Sequence, residues 1–357
     1  MNKREFIKAG LLAGAASQIS FKAGAAISLA SPKKPKLKNW VWISPNLNDT
    51  DDLLKTRFAA YKAGGITGVF FEADSEKHFR AAKAQGLEAH RWMWTFNRAE
   101  LVATHPEWYS KNRNGESCAD HPPYVNYYRW LCPSRPEVQQ YLEQQVTDIL
   151  NKDYIDGIHL DYVRYCDVIL PVNLWDHYGL DQTKELPAYD FCYCDVCQAN
   201  FKAQYNKDIT TIQYPDASLS WRLFRYGNII RVVNSLSDIA HSKNKKITAA
   251  VFPTPEVARR NVRQDWTNFH LDGVCPMIYH GFYKEDVPWI GNAVAEGVHF
   301  LAGKFPLYAG LYLSDFKSEA EIRQGIQVAL KNGAAGVSFF GNVENNNVLT
   351  ILKEETA

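Results

Sequence analysis

The chain has 357 residues, of which 46% are hydrophobic and 13% aromatic, and its formal net charge at pH 7 is +1. That length suits one (β/α)8 barrel of about 250 residues with insertions as well as it suits two smaller domains. The near-neutral charge gives no electrostatic reason to expect binding to nucleic acid or to an anionic membrane. The aromatic content favours a site that stacks flat ligands such as sugars, with ordinary core packing as the competing explanation.

The first residues are typical of an export signal. A charged start, MNKREFIK, precedes a weakly apolar run, rich in Ala and Gly, that reaches residue 30. The start resembles a twin-arginine signal with Lys3 in place of the first arginine, and Ser17 and Lys22 interrupt the run, so no membrane span is expected. We expect residues 1–30 to be an export signal, 31–38 a basic linker, and 39–357 the catalytic domain of an exported protein, periplasmic or extracellular in a bacterium.

Strand-like and helix-like runs alternate along the rest of the chain. The strand-like runs are residues 40–44, 67–73, 87–96, 155–165, 246–253, 273–279, 306–314 and 335–342. The helix-like runs are residues 51–63, 75–85, 135–150, 219–242, 286–295, 318–331 and 346–353. Alternation of this kind implies right-handed crossovers and a parallel sheet, and eight units close a barrel. The sequence therefore predicts an α/β fold, a single (β/α)8 TIM barrel. An open doubly wound sheet is less favoured, because no glycine-rich phosphate loop follows the first strand.

The fourth strand ends in a carboxylate where such barrels carry their chemistry. Within DGIHLDYVRY, residues 156–165, the aliphatic Ile158 and Leu160 alternate with His159 and Asp161. Asp161 is then the last inward residue before a long loop, residues 166–218, and another long loop, residues 97–134, follows the third strand. Long loops at the C-terminal face commonly build the substrate cleft. We predict that Asp161 is catalytic; the alternative is an Asp that only caps the following turn.

The same alternation places other side chains in the cleft. Glu72 ends the second strand as Asp161 ends the fourth, and we prefer it as the second catalytic carboxylate, with Asp315, Glu256 and Glu344 left open. A role for Glu72 in orienting the substrate is equally compatible with its position. His159 is interpreted as a structural residue of the barrel interior, and Arg164 as an ion-pair partner of Asp161 or Asp167. The predicted substrate-binding residues are His90, Trp92, Trp94, Tyr162, Arg164, Tyr279, His280, Tyr312 and Asn342.

Several segments together resemble a known family. DGIHLDYVRY is similar to the fourth-strand signature of the glycosyl-hydrolase-like barrels of the bacterial "family 10 glycosylhydrolase" (GHL10-type) group. LEAHRWMW (87–94), HPEW (105–108), WLCPSRPEV (130–138) and DGVCPMIY (272–279) resemble the same group in the same order. The resemblance implies an exported carbohydrate-active barrel with Asp161 at its active site.

Seven cysteines are present, an odd number that intramolecular disulfides cannot pair completely. Cys192, Cys194 and Cys197 lie within six residues, a spacing suited to a structural zinc ion given a fourth ligand. The pattern is similar to the zinc site of β-galactosidases of glycoside hydrolase family 42. That resemblance implies Cys132, in the segment LCPSRP, as the fourth ligand, with Cys166 in reserve. A reduced or partly disulfide-bonded loop is the competing interpretation.

These observations predict a glycoside hydrolase that acts on a poly- or oligosaccharide through paired carboxylates, with no cofactor for catalysis. The alternative is a non-catalytic carbohydrate-binding barrel, in which the acids only accept hydrogen bonds. A metal-dependent amidohydrolase is set aside, because the first strand, WVWIS, offers no histidine ligands. Oligomeric state, sugar identity and linkage are left open.

Overall fold

The structure is a computed structural model that describes residues 37–345 and 347–357. The predicted export signal and residues 31–36 of the predicted linker lie outside these residues. The described residues belong to one compact unit. Among the described residues, no helix combines the length and the apolar composition needed to cross a bilayer.

Eight parallel strands form the barrel that the sequence predicts. They are β1 (Trp40–Ile43), β2 (Gly68–Phe71), β3 (Glu88–Trp94), β4 (Gly157–Asp161), β5 (Lys246–Val251), β6 (Gly273–Pro276), β7 (Ala309–Tyr312) and β8 (Val337–Phe340). Hydrogen-bonded neighbours follow the order β6-β5-β4-β3-β2-β1-β8-β7. Two isolated parallel bridges connect the β6 and β7 segments. Val274 of β6 pairs with Leu307, two residues before β7, and Met277, just after β6, pairs with Gly310 of β7, so the barrel is nearly closed.

The helices surround this sheet. They are α1 (Asp51–Ala63), α2 (Glu76–Ala84), α3 (Pro136–Leu150), α4 (Trp175–Tyr178), α5 (Asp195–Tyr205), α6 (Leu219–Ser242), α7 (Pro255–Val262), α8 (Trp289–Leu301), α9 (Glu319–Lys331) and α10 (Val348–Thr356). Sequence analysis missed α7, whose eight residues follow a proline-containing segment that suggests a turn. Thr254 accepts a hydrogen bond from the Val257 N–H (3.3 Å) and Pro255 occupies the first turn, which is a usual helix start.

Aromatic rings fill the interior of the barrel. Trp40 on β1 stacks on Phe70 of β2 with ring centroids 4.6 Å apart. Gly68 makes room for this pair, since a Cβ atom there would lie 2.3 Å from the Trp40 ring. The interior cluster consists of Trp40, Trp42, Phe70, Trp92, Ala250, Cys275 and Tyr308. Because these side chains close the barrel below, the open space lies at the C-terminal ends of the strands.

A chain of hydrogen bonds crosses the barrel interior at His159, which is fully buried. The Trp42 indole N–H donates to His159 Nε2 (2.9 Å), so Nδ1 carries the proton that is donated to Thr248 Oγ1 (2.9 Å). Phe70 stacks on the imidazole ring at 3.7 Å. Burial, with a smaller effect of the neighbouring His90, holds the pKa of His159 well below its usual value. The imidazole is therefore neutral in the folded protein.

This neutral histidine predicts a loss of stability in mild acid. Below a pH of about 6.5 the unfolded chain takes up a proton that native His159 cannot, so the free energy of unfolding falls with falling pH, by at most about 1.4 kcal/mol per pH unit from this group. Urea unfolding between pH 7 and pH 5 should show a shallower pH dependence in His159→Gln than in the wild type. The exposed-site control His270→Gln should keep the wild-type slope, and equal slopes in all three proteins would contradict the prediction.

A buried ion-pair network holds the loop of residues 166–218 against the barrel. Asp190 accepts hydrogen bonds from Tyr193 Oη (2.6 Å) and from Arg225, and Arg263 Nη2 lies 3.5 Å from it. Arg263 also pairs with Glu185. Burial by itself would raise the pKa of Asp190, but the two guanidinium groups hold it below its usual value. Asp190 thus neutralises the positive charges of Arg225 on α6 and of Arg263 at the end of α7.

Asp190→Asn is expected to lower the free energy of unfolding by about 3–5 kcal/mol, because it leaves the buried Arg225 without its carboxylate. Chemical denaturation of the purified variant measures this loss. Asp153→Asn is the control: Asp153 pairs with Arg80 on the surface (3.0 Å), where solvent screens the interaction, so little change is expected. Similar losses in the two variants would contradict a special role for the buried network.

Candidate active site

Asp161 is the last residue of β4 and lies at the bottom of a cleft at the C-terminal face of the barrel. Its side chain is buried and both oxygens accept hydrogen bonds: Oδ2 from the Trp92 indole N–H (3.0 Å) and Oδ1 from the Tyr162 backbone N–H (2.6 Å). Burial raises the pKa of Asp161, the two N–H donors and Arg164 oppose that rise, and the charge of Glu72 adds to it. The net direction is upward, so this carboxyl keeps a proton to a higher pH than an ordinary aspartic acid.

The backbone at Tyr162 contributes to holding Asp161 in place. Tyr162 has a φ of +48°, in the left-handed region that residues with side chains rarely adopt. A conformation of this kind costs about 1–3 kcal/mol and persists only where the surrounding structure fixes it. The Tyr162 N–H contacts the Asp161 carboxylate, and the Tyr162 ring packs 4.7 Å from that of Trp94.

The central cleft is a cavity of about 360 Å³. The carboxylates of Asp161 and Glu72 both line it, and Ser44 Oγ donates a hydrogen bond to Glu72 Oε2. Most of the remaining surface is aromatic or aliphatic. The lining residues are Trp42, Ser44, Glu72, Trp92, Trp94, Tyr128, Asp161, Tyr162, Arg164, Asp167, Leu170, Pro171, Leu174, Ala250, Phe252, Met277, Tyr279, Phe282, Tyr283 and Phe340. Apart from Asp167, which pairs with Arg164, the cleft thus holds two carboxyl groups among aromatic rings, an arrangement suited to binding and protonating a sugar.

Arg164 pairs with Asp167, one of the two partners that the sequence allowed. The guanidinium Nη1 lies 2.8 Å from Asp167 Oδ2, and both side chains are buried. The guanidinium group also lies over the rings of Trp130 (4.7 Å) and Phe252 (4.8 Å). Because its charge is neutralised and its faces are covered, Arg164 acts here mainly to hold the aromatic wall together.

The structure brings together most of the predicted site residues. Those that line the central cleft are Asp161, Glu72, Trp92, Trp94, Tyr162, Arg164 and Tyr279. Tyr312 is not among the lining residues, but its ring lies 5.5 Å from those of Tyr279 and Phe340 at the rim. Trp94 of β3 lies directly opposite Asp161 in the pairing of β3 with β4. The aromatic residues at the end of β3 therefore reach the same cleft as Asp161.

Three predicted substrate-binding residues lie elsewhere. His90 is fully buried in the barrel and its Nε2 lies 2.8 Å from Glu88 Oε1, because it precedes Trp92 by two residues and so sits nearer the N-terminal face. His280 lies beside Asp315 and packs on Phe316 (5.0 Å). Asn342 is exposed in the loop after β8 and accepts the Glu344 N–H (2.9 Å). The geometry therefore does not support substrate contact by these three.

The alternative second carboxylates are also separated from Asp161, since none of them lines the central cleft. Asp315 accepts the Gly281 N–H (3.0 Å), Glu344 pairs with Arg57 (2.9 Å), and Glu256 lines another cavity on the flank of the barrel. Each is thus engaged in a turn, an ion pair or a different surface. Glu72 and Asp167 share the cleft with Asp161, and because Asp167 is paired with Arg164, Glu72 remains the candidate for the second carboxylate.

Sequence analysis did not include several cleft residues among the predicted site residues. Trp42 and Ser44 alternate along the first strand run as Phe70 and Glu72 do along the second, so the same period-two rule applied to β1 would have found them. The same rule places Phe340 of β8 on the inward face, two residues before Asn342, and Phe340 lines the cleft. Tyr128, Leu170 and Phe282 come from loops, where no local periodicity predicts a direction.

Four buried cysteines meet where the two long loops touch. The Sγ atoms of Cys132, Cys192, Cys194 and Cys197 all lie within 4.8 Å of one another. Cys132 Sγ is 3.6 Å from Cys194 Sγ and 3.5 Å from Cys197 Sγ, well beyond the length of a disulfide bond. Cys132 is therefore the fourth member of the cluster and Cys166 is not. A cluster of four thiols with this geometry can hold a metal ion.

The eight-stranded barrel and the acid-containing aromatic cleft at its C-terminal face define a glycoside-hydrolase-type barrel. The chain belongs to the family described as Glycosyl hydrolase-like 10, which it matches over residues 76–298. A search of the curated proteins finds no sequence match.

Several solved structures with a similar fold are described as glycoside hydrolases or glycosidases of different kinds. The glycoside hydrolase domain of PgaB (BpsB) from Bordetella bronchiseptica superimposes with a TM-score of 0.62 at 13% identity, covering 90% of this chain and 99% of that one. The catalytic domain of β-amylase from Paenibacillus polymyxa gives 0.62 at 10% identity, covering 90% and 98%. A β-galactosidase from Halorubrum lacusprofundi gives 0.61 at 13% identity, covering 85% and 52%. At these identities the likeness concerns the fold.

Proposed function

We propose that the protein is an exported glycoside hydrolase that cleaves glycosidic bonds of a poly- or oligosaccharide with Asp161 and Glu72. The observation that carries the proposal is the position of Asp161, buried below an aromatic cleft with Glu72 lining the same space. Membership of a glycosyl-hydrolase-like family supports it.

The two carboxyl groups have different surroundings, which suits them to different steps. Burial raises the pKa of Asp161, so this carboxyl keeps its proton to a higher pH than an ordinary aspartic acid and can donate it to the oxygen of the departing sugar. Glu72 is partly exposed and accepts a hydrogen bond from Ser44, so it can act on the anomeric carbon directly or through a water molecule. In both cases the bond from the anomeric carbon to the leaving oxygen breaks, and the leaving sugar departs as an alcohol with the proton from Asp161. Water supplies the new oxygen on the anomeric carbon, either in the same step with its proton passing to Glu72, or by hydrolysing the glycosyl ester that direct attack by Glu72 forms, with its proton passing to Asp161.

The aromatic residues bind the sugar. Trp94 and Tyr162 form one wall of the cleft. Tyr279 and Phe340 form the other, and the planes of their two rings are 13° from parallel. Flat rings of this kind contact the apolar faces of pyranose sugars. Trp92 has a second role, because its indole N–H holds Asp161 in place (3.0 Å).

A non-catalytic sugar-binding barrel is the second candidate. It is favoured by one observation: each Asp161 oxygen already accepts an N–H donor, as a carboxylate that only orients a ligand would. The purified protein, incubated with a broad panel of plant and host glycans, should release new reducing ends if it is a hydrolase. Binding of a glycan without release of reducing ends from any member of the panel would favour the second candidate.

We further propose that the four-cysteine cluster holds a structural zinc ion. Tetrahedral zinc with Zn–S distances of about 2.3 Å places its sulfurs about 3.8 Å apart, close to the 3.5 and 3.6 Å separations from Cys132. All four thiols are buried, which leaves no open position for a substrate. The ion would join the loops after β3 and β4 and have no part in catalysis.

Export is supported by the sequence of residues 1–30. A charged start, a weakly apolar run and terminal small residues are the features of a cleaved export signal. The natural place for a polysaccharide-cleaving enzyme that enters this route is outside the cytoplasm.

A further inference from the structure

A second cavity adjoins the central cleft at Glu72. This side cavity, of about 490 Å³, lies between the C-terminal end of β3 and the helix α3. It shares Glu72, Trp92 and Trp94 with the central cleft. Its other lining residues are Asp74, Arg91, Met93, Asn97, Arg98, Glu100, Gln145, Asp148, Ile149 and Lys152. Glu72 and Trp92, whose indole N–H donates to Asp161, thus lie at the junction of the side cavity and the central cleft.

The side cavity is chemically unlike the central cleft. Its lining is rich in charged and amide side chains, most of them already paired: Arg98 with Glu100 (3.1 Å) and with Gln145 Oε1 (2.7 Å), and Lys152 with Asp74. Sugar hydroxyl groups hydrogen-bond to side chains of this kind, whereas the rings of the central cleft contact the apolar faces of a sugar.

Three residues of the side cavity carry hydrogen-bond donors that are not satisfied within the described part of the chain. Trp94 Nε1, Asn97 Nδ2 and Arg91 Nε are buried and have no acceptor there. Asn97 is only 2% exposed, and its Oδ1 accepts the Arg129 N–H (2.9 Å), which leaves Nδ2 as the free donor. A buried donor without an acceptor costs about 1–3 kcal/mol, so an oxygen from water or from a ligand is expected at each.

The two spaces are each large enough for part of a sugar chain. Binding cavities for small organic ligands are commonly about 300–1,000 Å³, and both the central cleft and the side cavity fall in that range. A chain whose reacting bond lies next to Glu72 and Trp92 therefore has room on both sides of that bond. A pocket that removes a single terminal sugar would instead be closed on one side.

From this geometry we infer that the side cavity is a further sugar-binding subsite, and that the protein cleaves within an oligosaccharide chain that spans both cavities across Glu72. The inference rests on the proposed function of the central cleft. In this arrangement, oxygen atoms of the oligosaccharide accept hydrogen bonds from the unpaired N–H groups of Trp94 and Asn97.

The test blocks the side cavity without touching the catalytic residues. Asp148 is exposed on α3 and lines the side cavity, so Asp148→Trp would fill part of it. Gln140→Trp is the matched control, since Gln140 is exposed on the same helix and does not line the cavity.

On a glycan that the wild type cleaves, kcat/KM for the hexasaccharide should exceed that for the disaccharide by about tenfold or more, as expected for additional buried contacts. Asp148→Trp should remove most of this advantage, because it lowers kcat/KM for the hexasaccharide far more than for the disaccharide, and Gln140→Trp should resemble the wild type.

Three results would overturn the inference: equal kcat/KM for the two lengths in the wild type, an unchanged length dependence in Asp148→Trp, or release of single sugars only from chain ends. If no glycan is cleaved, the proposed function fails separately, and calorimetric affinities for the same oligosaccharides decide the subsite. Tighter binding of the longer chain that is lost in Asp148→Trp then supports the subsite. Affinity that does not depend on length, or no binding, rejects it.

Discussion

Asp161→Asn is expected to lower kcat by about 10²- to 10⁴-fold on any glycan that the wild type hydrolyses, the range contributed by a positioned proton donor. The amide has nearly the same shape as the carboxyl group but cannot donate a proton in the same way. It also has only one acceptor oxygen for the two N–H donors, Trp92 Nε1 and Tyr162 N, that now contact the two carboxylate oxygens. KM should change much less than kcat, because the aromatic walls that bind the sugar are kept.

The measurement is initial rates of reducing-end release with the variant and with Asp315→Asn as control. Asp315 is another acid near the C-terminal face, but it accepts the Gly281 N–H and does not line the cleft, so its variant should stay close to wild-type activity. Activity that survives Asp161→Asn would contradict the assignment and move the chemistry to another acid, with Glu72→Gln as the next variant.

The pH dependence of the hydrolysis rate is a second test of the role of Asp161. A general acid works only while it is protonated, and burial raises the pKa of Asp161. The rate of the wild type should therefore persist to a higher pH than an ordinary carboxylic acid allows, and then fall as Asp161 loses its proton.

Substitution of a cysteine in the four-cysteine cluster, where we propose a zinc ion, is expected to have a large effect on stability. Structural zinc sites in small domains contribute on the order of 10 kcal/mol of apparent binding free energy, and here the cluster joins two long loops that otherwise have few covalent constraints. Cys194→Ser is expected to abolish zinc binding and to lower the melting temperature substantially. Metal analysis of the wild type should find about one zinc ion per chain.

Cys166→Ser separates loss of the metal from loss of a buried thiol. Cys166 is buried near the start of the same loop but lies outside the cluster, so its variant should keep the zinc and most of the stability. Well under one zinc ion per chain in wild-type protein would remove the zinc proposal, and so would equal destabilisation by the two substitutions with the metal retained in both.

The site itself was partly predictable. The period-two alternation in β2, β3 and β4 correctly separates inward from outward side chains, so Glu72, Trp92, Trp94 and Asp161 could be placed in the cleft. His90 obeys the same alternation but lies too deep, since alternation gives the face of a residue and not its height in the barrel. His280 and Asn342 follow their strands, and beyond a strand end no periodicity indicates where a side chain points.

By itself, the sequence determined the eight βα units, the parallel barrel and the position of Asp161 at a strand end, because these follow from local periodicity and from the handedness of crossovers. Only the tertiary structure decided which loop residues meet. It brought Cys132 to Cys197 across 65 residues of separation, chose Asp167 over Asp161 as the partner of Arg164, and opened the side cavity between β3 and α3. The physical reason is that loop conformations depend on packing between segments far apart in the chain, whereas strands and helices are specified by residues close together.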